Sequence, residues 1–240
     1  MRKSIWFLMV AVGLFSCQNQ ESNEPVAVFS ENEIVLNGIA DEPVWETAQW
    51  NAISEVWLGE VPNSLDFAGK YKIAWRPDAL YLLVEITDDS LVDVYADKFT
   101  QWWDDDCVEV FVDANASGGN HQYNHNAFAY HIGLDYQTVD FGPDSVPHLY
   151  PHVEAIRTAN ENTYTWEIKV PIFSDKFEDG NAENLPEVLE ANRIIGFAIA
   201  YCDNDTSELR ENFIGSVKVE GTDKNRGWID AGIFGKLRLK

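Results

Sequence analysis

Along most of the chain, apolar and polar side chains alternate with a period of two. Val108, Val110 and Val112 alternate with Cys107, Glu109 and Phe111, and Leu80, Leu82, Val84 and Ile86 alternate with Tyr81, Leu83 and Glu85. The same rhythm runs through Tyr164, Trp166, Ile168 and Val170, and through Ile195, Phe197, Ile199 and Tyr201. Further candidate strands are Lys70–Trp75, Ala127–Gly133, Phe213–Val219 and Phe234–Leu239. Successive side chains of a pleated strand point to opposite faces, so this period predicts half-buried strands. Helical signal is confined to a turn within Pro43–Trp50 and to Leu185–Asn192. No gap in the pattern divides the chain, and no segment repeats at a fixed period. The expectation is an all-β fold, a single antiparallel β-sandwich (jelly-roll-like) with few short helices.

Composition narrows the partners. With 45% hydrophobic and 13% aromatic residues, the 240-residue chain has ample material for one core. Forty acidic residues against 17 basic ones give a net charge of −23, which repels phosphate backbones and excludes nucleic acid as a partner. The same charge opposes docking on anionic lipid through a basic face.

At the N-terminus, Arg2 and Lys3 precede an apolar run from Ile5 to Phe15, too short to span a bilayer but suited to a secretory signal. Leu14-Phe15-Ser16-Cys17 resembles a bacterial lipobox, which implies cleavage before Cys17 and acylation of that residue. The expected organisation is a signal peptide over residues 1–16, a polar tether over 17–28 and the sandwich over 29–240. The acidic stretch after Cys17 is similar to the signal that sends Bacteroidetes lipoproteins to the cell surface. The expected location is therefore the cell envelope, with a lipid anchor in the outer membrane as the membrane contact. Export permits disulfides: Cys107 and Cys202 could bond if their strands are neighbours, or remain two buried thiols.

Candidate chemistry concentrates in two segments. In Gln101-Trp102-Trp103-Asp104-Asp105-Asp106-Cys107-Val108-Glu109, the adjacent indoles cannot both enter one core. An indole left at the surface offers the flat face on which a pyranose ring stacks. Glu109 projects away from the Val108/Val110/Val112 face, where its carboxylate is either solvated or accepts hydrogen bonds from vicinal hydroxyls. The second segment holds Tyr201-Cys202-Asp203-Asn204-Asp205, Arg210 and Asn225-Arg226-Gly227-Trp228. Amide, carboxylate and guanidinium around aromatics suit a ligand whose hydroxyls both donate and accept.

From Ile34 onward the chain resembles family 9 carbohydrate-binding modules and their DOMON-like relatives. The resemblance rests on Leu36-Asn37-Gly38-Ile39-Ala40-Asp41-Glu42-Pro43-Val44-Trp45, Ala79–Asp88, Trp103–Asp113, Ile195-Gly196-Phe197, Asp203 and Phe234–Leu239, in that order. It implies a non-catalytic sandwich that grips an oligo- or polysaccharide, at its reducing end in the best-understood modules, between two Trp. Carried over by position, these are Trp103 and Trp228, with Glu109, Arg210 and Asn225 as polar contacts. Two positions depart: an arginine of the family falls on Tyr130 or a neighbour, and a glutamine falls on Ala200. The resemblance also implies structural calcium, for which Asp88 and Asp203 at strand ends are the candidates. Neighbouring glycan-degrading enzymes are the implied partners.

Other readings are weaker. A glycosidase would need Glu109 with an Asp such as Asp203, but carboxylates are so abundant that pairs are inevitable. Some DOMON relatives bind b-type haem, commonly through a Met, yet Met1 and Met9 both lie in the leader, leaving His131 as the candidate ligand. His121/His125 and His148/His152 have helical spacing in loop-like sequence, where no helix is expected to use it.

Overall fold

The computed structural model describes residues 24–240, so Cys17 and the apolar leader lie outside the described residues. Fourteen strands form: β1 (Val26–Phe29), β2 (Asn51–Ile53), β3 (Glu55–Leu58), β4 (Phe67–Arg76), β5 (Ala79–Asp88), β6 (Cys107–Asp113) and β7 (Phe128–Gly133), then β8 (Thr138–Phe141), β9 (Pro147–Leu149), β10 (Glu154–Asn160), β11 (Thr163–Val170), β12 (Ile194–Asp203), β13 (Asn212–Gly215) and β14 (Gly235–Leu239). The α-helical part is a single turn, α1 (Val44–Thr47), within the region the sequence singled out.

The strands are hydrogen-bonded in one continuous order, β10-β11-β5-β4-β1-β14-β12-β6-β7-β8-β9, with β2 beside β4, and β13 and then β3 beside β12. That sheet folds over on itself at β1, which pairs with β14 through Val26 and Ala27 and with β4 through Val28 and Phe29. Both β1 pairings are parallel, whereas the other ladders are antiparallel, which modifies the purely antiparallel expectation. The two resulting layers pack face to face. Tyr71 of β4 lies 5.9 Å from Phe197 of β12, and Phe67 stacks at 5.5 Å on Tyr201. The alternating residues do what their period requires: Leu80, Leu82, Val84 and Ile86 meet Val108, Val110 and Val112 in this core.

The outer faces are also covered, and this creates the site. Tyr81 and Leu83 of β5 lie beneath Ile34, Val44 and Trp45. The covering segment is pinned where the backbone N–H groups of Asn37 and Gly38 donate to Glu167 Oε2 on β11, the former at 3.0 Å. On the opposite layer, Cys107, Phe111, Ala198, Ala200 and Cys202 form a second apolar cluster with Trp57 and Phe213. Here Gly215 is required by close approach, because a Cβ would stand 2.1 Å from Trp57 Cζ2. The indole cannot easily yield: it packs on Phe111 and Phe213 and donates Nε1–H to Val217 O at 2.9 Å. Gly215→Ala is therefore expected to destabilise the protein by about 1–3 kcal/mol, measured by urea unfolding.

Leu185–Asn192 departs from expectation, for no helix forms there. Pro186 interrupts the segment, and its backbone bonds go to distant partners, Glu187 N to Ile172 O at 2.7 Å and Leu189 N to Pro77 O at 3.0 Å. Leu189 alone of its apolar residues is buried, leaving Leu185 and Val188 exposed. Phe213–Val219 also stops early as a strand, at Gly215. Ser216 beyond it still bonds to Ile199, through both its backbone N–H and its hydroxyl.

Candidate functional site

The outer face of β6 and β12 ends in a cavity of about 310 Å³. Trp103, Glu109, Arg210, Asn225 and Trp228, which lie far apart in sequence, all line it. Trp102, His131, Asp140 and Phe141 complete most of the wall, so the lining is largely aromatic with polar groups on the floor.

Trp103 is half-buried in the pocket, while Trp102 beneath it is 8% exposed, wedged 4.7 Å from Trp103 and 5.0 Å from Phe141. The adjacent indoles thus divide as expected, one to the packing and one to the groove. Their loop is fastened by the three aspartates that follow. Asp104 accepts from Arg210 N, Asp105 from Val94 N and Tyr95 N, and Asp106 from Val92 N and Asn204 N. Trp228 sits in a turn held from the other side, where His121 Nε2 donates to Gly227 O at 2.6 Å and His121 N to Ile229 O at 2.8 Å. His121 therefore positions an aromatic wall. The spacings His121/His125 and His148/His152 lie on no helix, and each histidine has its own partner: Gly227, Asp179, Asp144 and the Tyr130 hydroxyl.

On the floor, Glu109 and His131 face each other across β6 and β7, with Glu109 Oε2 3.1 Å from His131 Nε2. His131 Nδ1 donates to Ala129 O at 3.1 Å, so both ring nitrogens are engaged and no lone pair is left for an iron. Arg210 donates from Nη1 to Cys202 Sγ at 3.0 Å and from Nη2 to Asn225 Oδ1 at 3.3 Å, and its guanidinium lies 4.2 Å over the Phe213 ring. Asp140 accepts from Ala129 N and Phe141 N, both at 2.7 Å, and burial raises its carboxyl to about 7.

Tyr130 corrects the expectation for the seventh strand. It is fully buried on the core face, stacked on Phe128 and donating to His152 Nε2 at 3.1 Å. One residue along a strand changes faces, so its neighbour His131 takes the pocket position. Ala200, directly opposite Glu109, places only a methyl group beneath the cavity. The same alternation puts Asp203 on the face away from Glu109, which separates that pair of carboxylates. Cys107 and Cys202 are directly opposed in neighbouring strands and both carry free thiols. Burial alone would raise the Cys202 thiol, but the Cys107 hydrogen bond and the Arg210 charge bring it below its ordinary value. Glu109, His131 and Cys202 offer donors within 4.8 Å of one another. However, Arg210 already caps the sulfur and the imidazole the carboxylate, so the cluster is charge-balanced from within.

A second cluster lies at the ends of β5 and β12. Oxygens of Asp88, Asp106 and Asp203, all buried, approach within 4.8 Å of one another. Among the described residues no Lys or Arg pairs with them. Burial and mutual repulsion push Asp106 up to about 9 and Asp203 to about 8. Asp88, raised chiefly by burial, reaches about 6 while Ser90 N and the Tyr201 hydroxyl donate to it. Asn212, opposite Asp203 in register, donates from Nδ2 to Asp203 Oδ2 at 3.4 Å, and its buried Oδ1, without a hydrogen-bond partner, lies on the side of Gly59. Three crowded carboxylates form a hard-oxygen set that a divalent cation such as calcium would satisfy. The fold brings Asp88 and Asp203, the two candidates named from the sequence, beside Asp106, which the sequence did not single out because it precedes a strand whose partner was unknown.

A model of the carbohydrate family 9 binding domain-like family matches residues 36–240. Two solved structures of a family 9 carbohydrate-binding module from Caldicellulosiruptor kristjanssonii are similar in fold. The complex with glucose has a TM-score of 0.65 at 19% identity, covering 90% of this chain and 95% of that one. The complex with cellotriose has a TM-score of 0.66 at 18% identity, covering 90% and 93%. No curated protein matches the chain.

Proposed function

The chain belongs to the carbohydrate family 9 binding domain-like family, and from that premise we propose that it binds an oligo- or polysaccharide without catalysis, one sugar ring lying between Trp103 and Trp228. The observation that carries this reading is the convergence of Trp103, Glu109, Arg210, Asn225 and Trp228 on one cavity. Its volume, about 310 Å³, is at the lower end of ligand pockets and suits one or two sugar rings. The indole faces take the apolar C–H surfaces of the ring. Glu109 accepts from a hydroxyl, Arg210 donates to one, and the Asn225 amide nitrogen donates while its oxygen is held by Arg210. A sugar hydroxyl is both donor and acceptor, so a floor with both kinds of group can hold two adjacent hydroxyls. The bound glucose and cellotriose of the similar modules support a neutral glycan as first probe.

Calcium is proposed as a structural ion held by Asp88, Asp106 and Asp203. Bound there it would neutralise the crowded carboxylates and tie together the ends of β5 and β12. Acylation at Cys17 would tether the domain to the outer membrane of the cell envelope, where it would present glycan to neighbouring degrading enzymes.

The test is titration calorimetry of the purified protein against soluble oligosaccharides, each intact and with its reducing end reduced. Binding that disappears on reduction is the expected result for end-on recognition between the indoles. Binding indifferent to reduction would overturn that mode. No heat from any glycan in the presence of calcium would overturn the carbohydrate reading itself.

A further inference from the structure

We propose that His131 is a positioning and specificity-determining residue: its ring clamps one oxygen of Glu109, leaves the other for a ligand hydroxyl, and ties affinity to its own proton. The inference rests on the pocket reading above and goes beyond it. Glu109 and His131 occupy opposed positions of β6 and β7, 2% and 8% exposed. The imidazole is oriented from three sides. Nδ1 donates to Ala129 O at 3.1 Å, Nε2 reaches Glu109 Oε2 at 3.1 Å, and the Trp102 ring meets it edge-on at 6.1 Å. A ring that donates from both nitrogens is the imidazolium form. It can accept nothing from a ligand, so the carboxylate oxygen it leaves uncovered becomes the acceptor that a hydroxyl must find.

Charged groups border the ring on two sides: those of the ligand pocket, and Asp93, Lys98, Asp105 and Asp135 around a smaller cavity that the ring also lines. Burial by itself would lower the imidazole. The charge and hydrogen bond of Glu109 on β6, with Cys202 on β12 and Asp140 on β8, outweigh that and push it up to about 9. Arg210 lies beyond Cys202 and opposes them. Because the folded value stands above the ordinary 6.5, the pair is fully formed below pH 6.5 and is lost as pH rises through about 9. A guanidinium here would keep its proton throughout that range. Histidine instead makes the contact one that titrates. Once the ring is neutral, Glu109 loses the imidazolium charge at 3.1 Å and keeps only the Arg210 charge across the pocket, so its hold on the ligand-facing geometry loosens.

The experiment is the dissociation constant of a bound oligosaccharide measured from pH 6 to pH 10. Affinity is expected to weaken about tenfold as the ring loses its proton. His131→Arg should bind with a flat profile, and His131→Gln should bind more weakly at pH 7 and also lose the step. Cys202→Ser should retain the step, which separates the imidazole from the nearby thiol. A flat profile in wild-type protein that does bind, or a step that survives both His131 substitutions, overturns the proposal. The wild-type profile needs no variant to fold. No binding at pH 7 would overturn the carbohydrate reading instead, so the two failures are distinguishable.

Discussion

Trp228→Ala and Trp103→Ala are each expected to weaken glycan binding by about tenfold or more, and the double substitution to abolish it in titration calorimetry. Stacking on an indole contributes about 1 kcal/mol beyond the area it buries, and about 1.4 kcal/mol is a tenfold change in affinity. Both terms are lost with the ring, so tenfold is a lower figure. The fold should survive, because neither side chain belongs to the core between the layers: both are half-buried at the cavity wall. Trp103 rests on Trp102, which remains wedged against Phe141 and His131, and the Trp228 turn keeps its bonds to His121. Unchanged affinity in both single variants would remove the clamp from the mechanism, whatever the pocket binds. Trp102→Ala offers the contrast. Its indole is buried against three aromatic neighbours, so its loss should lower stability as well as binding.

Chelation of calcium should produce the largest change in stability. Without a cation, Asp88, Asp106 and Asp203 are buried against one another with no lysine or arginine to pair with, among the described residues. An ion present at 100 to 1,000 times its dissociation constant contributes about 3–4 kcal/mol through linkage. For a domain of this size that corresponds to a fall in Tm of roughly 6–16 °C on adding chelator, restored by calcium. Differential scanning calorimetry measures it directly, and a Tm indifferent to chelator and to added calcium would sink the assignment. The loss should also reach the pocket. Asp106 holds the backbone of Val92 and Asn204, and its neighbour Asp104 receives the Arg210 amide, so a loosened cluster slackens both the Trp103 loop and Arg210. Chelator should therefore weaken glycan binding as well as lower Tm.

The fold was largely legible because its signal is local. Alternation at Leu80–Ile86 or Val108–Val112 needs nothing beyond neighbouring residues to name a strand and its core face. What escaped were elements whose formation depends on a partner. The edge strand Glu154–Asn160 has no clear alternation and exists because Thr163–Val170 pairs with it. Leu185–Asn192 has helical spacing, yet its N–H groups find better acceptors at Ile172 and Pro77. In the pocket, the polar and aromatic types were readable from stacking and hydrogen-bonding capacity, and from the resemblance. The face of the seventh strand was not, because Ala127–Gly133 is apolar on both sides, and with no polar face to set its phase Tyr130 and His131 are interchangeable until the register is known. Asp140 and Phe141 gave no signal, since they reach the pocket from a short strand that pairs with β7.

The strand at which the sheet turns over also sets an order of events. Val26 pairs with Arg238 and Ala27 with Leu239, so the first described strand closes on the last. The β1 seam between the layers cannot close until the C-terminal residues are present, whereas the second link, from β2 beside β4 to β3 beside β13, does not need them. Such a contact, spanning nearly the whole sequence, belongs to slowly folding topologies. Sensitivity to loss of only a few C-terminal residues is built into where β1 finds its partners.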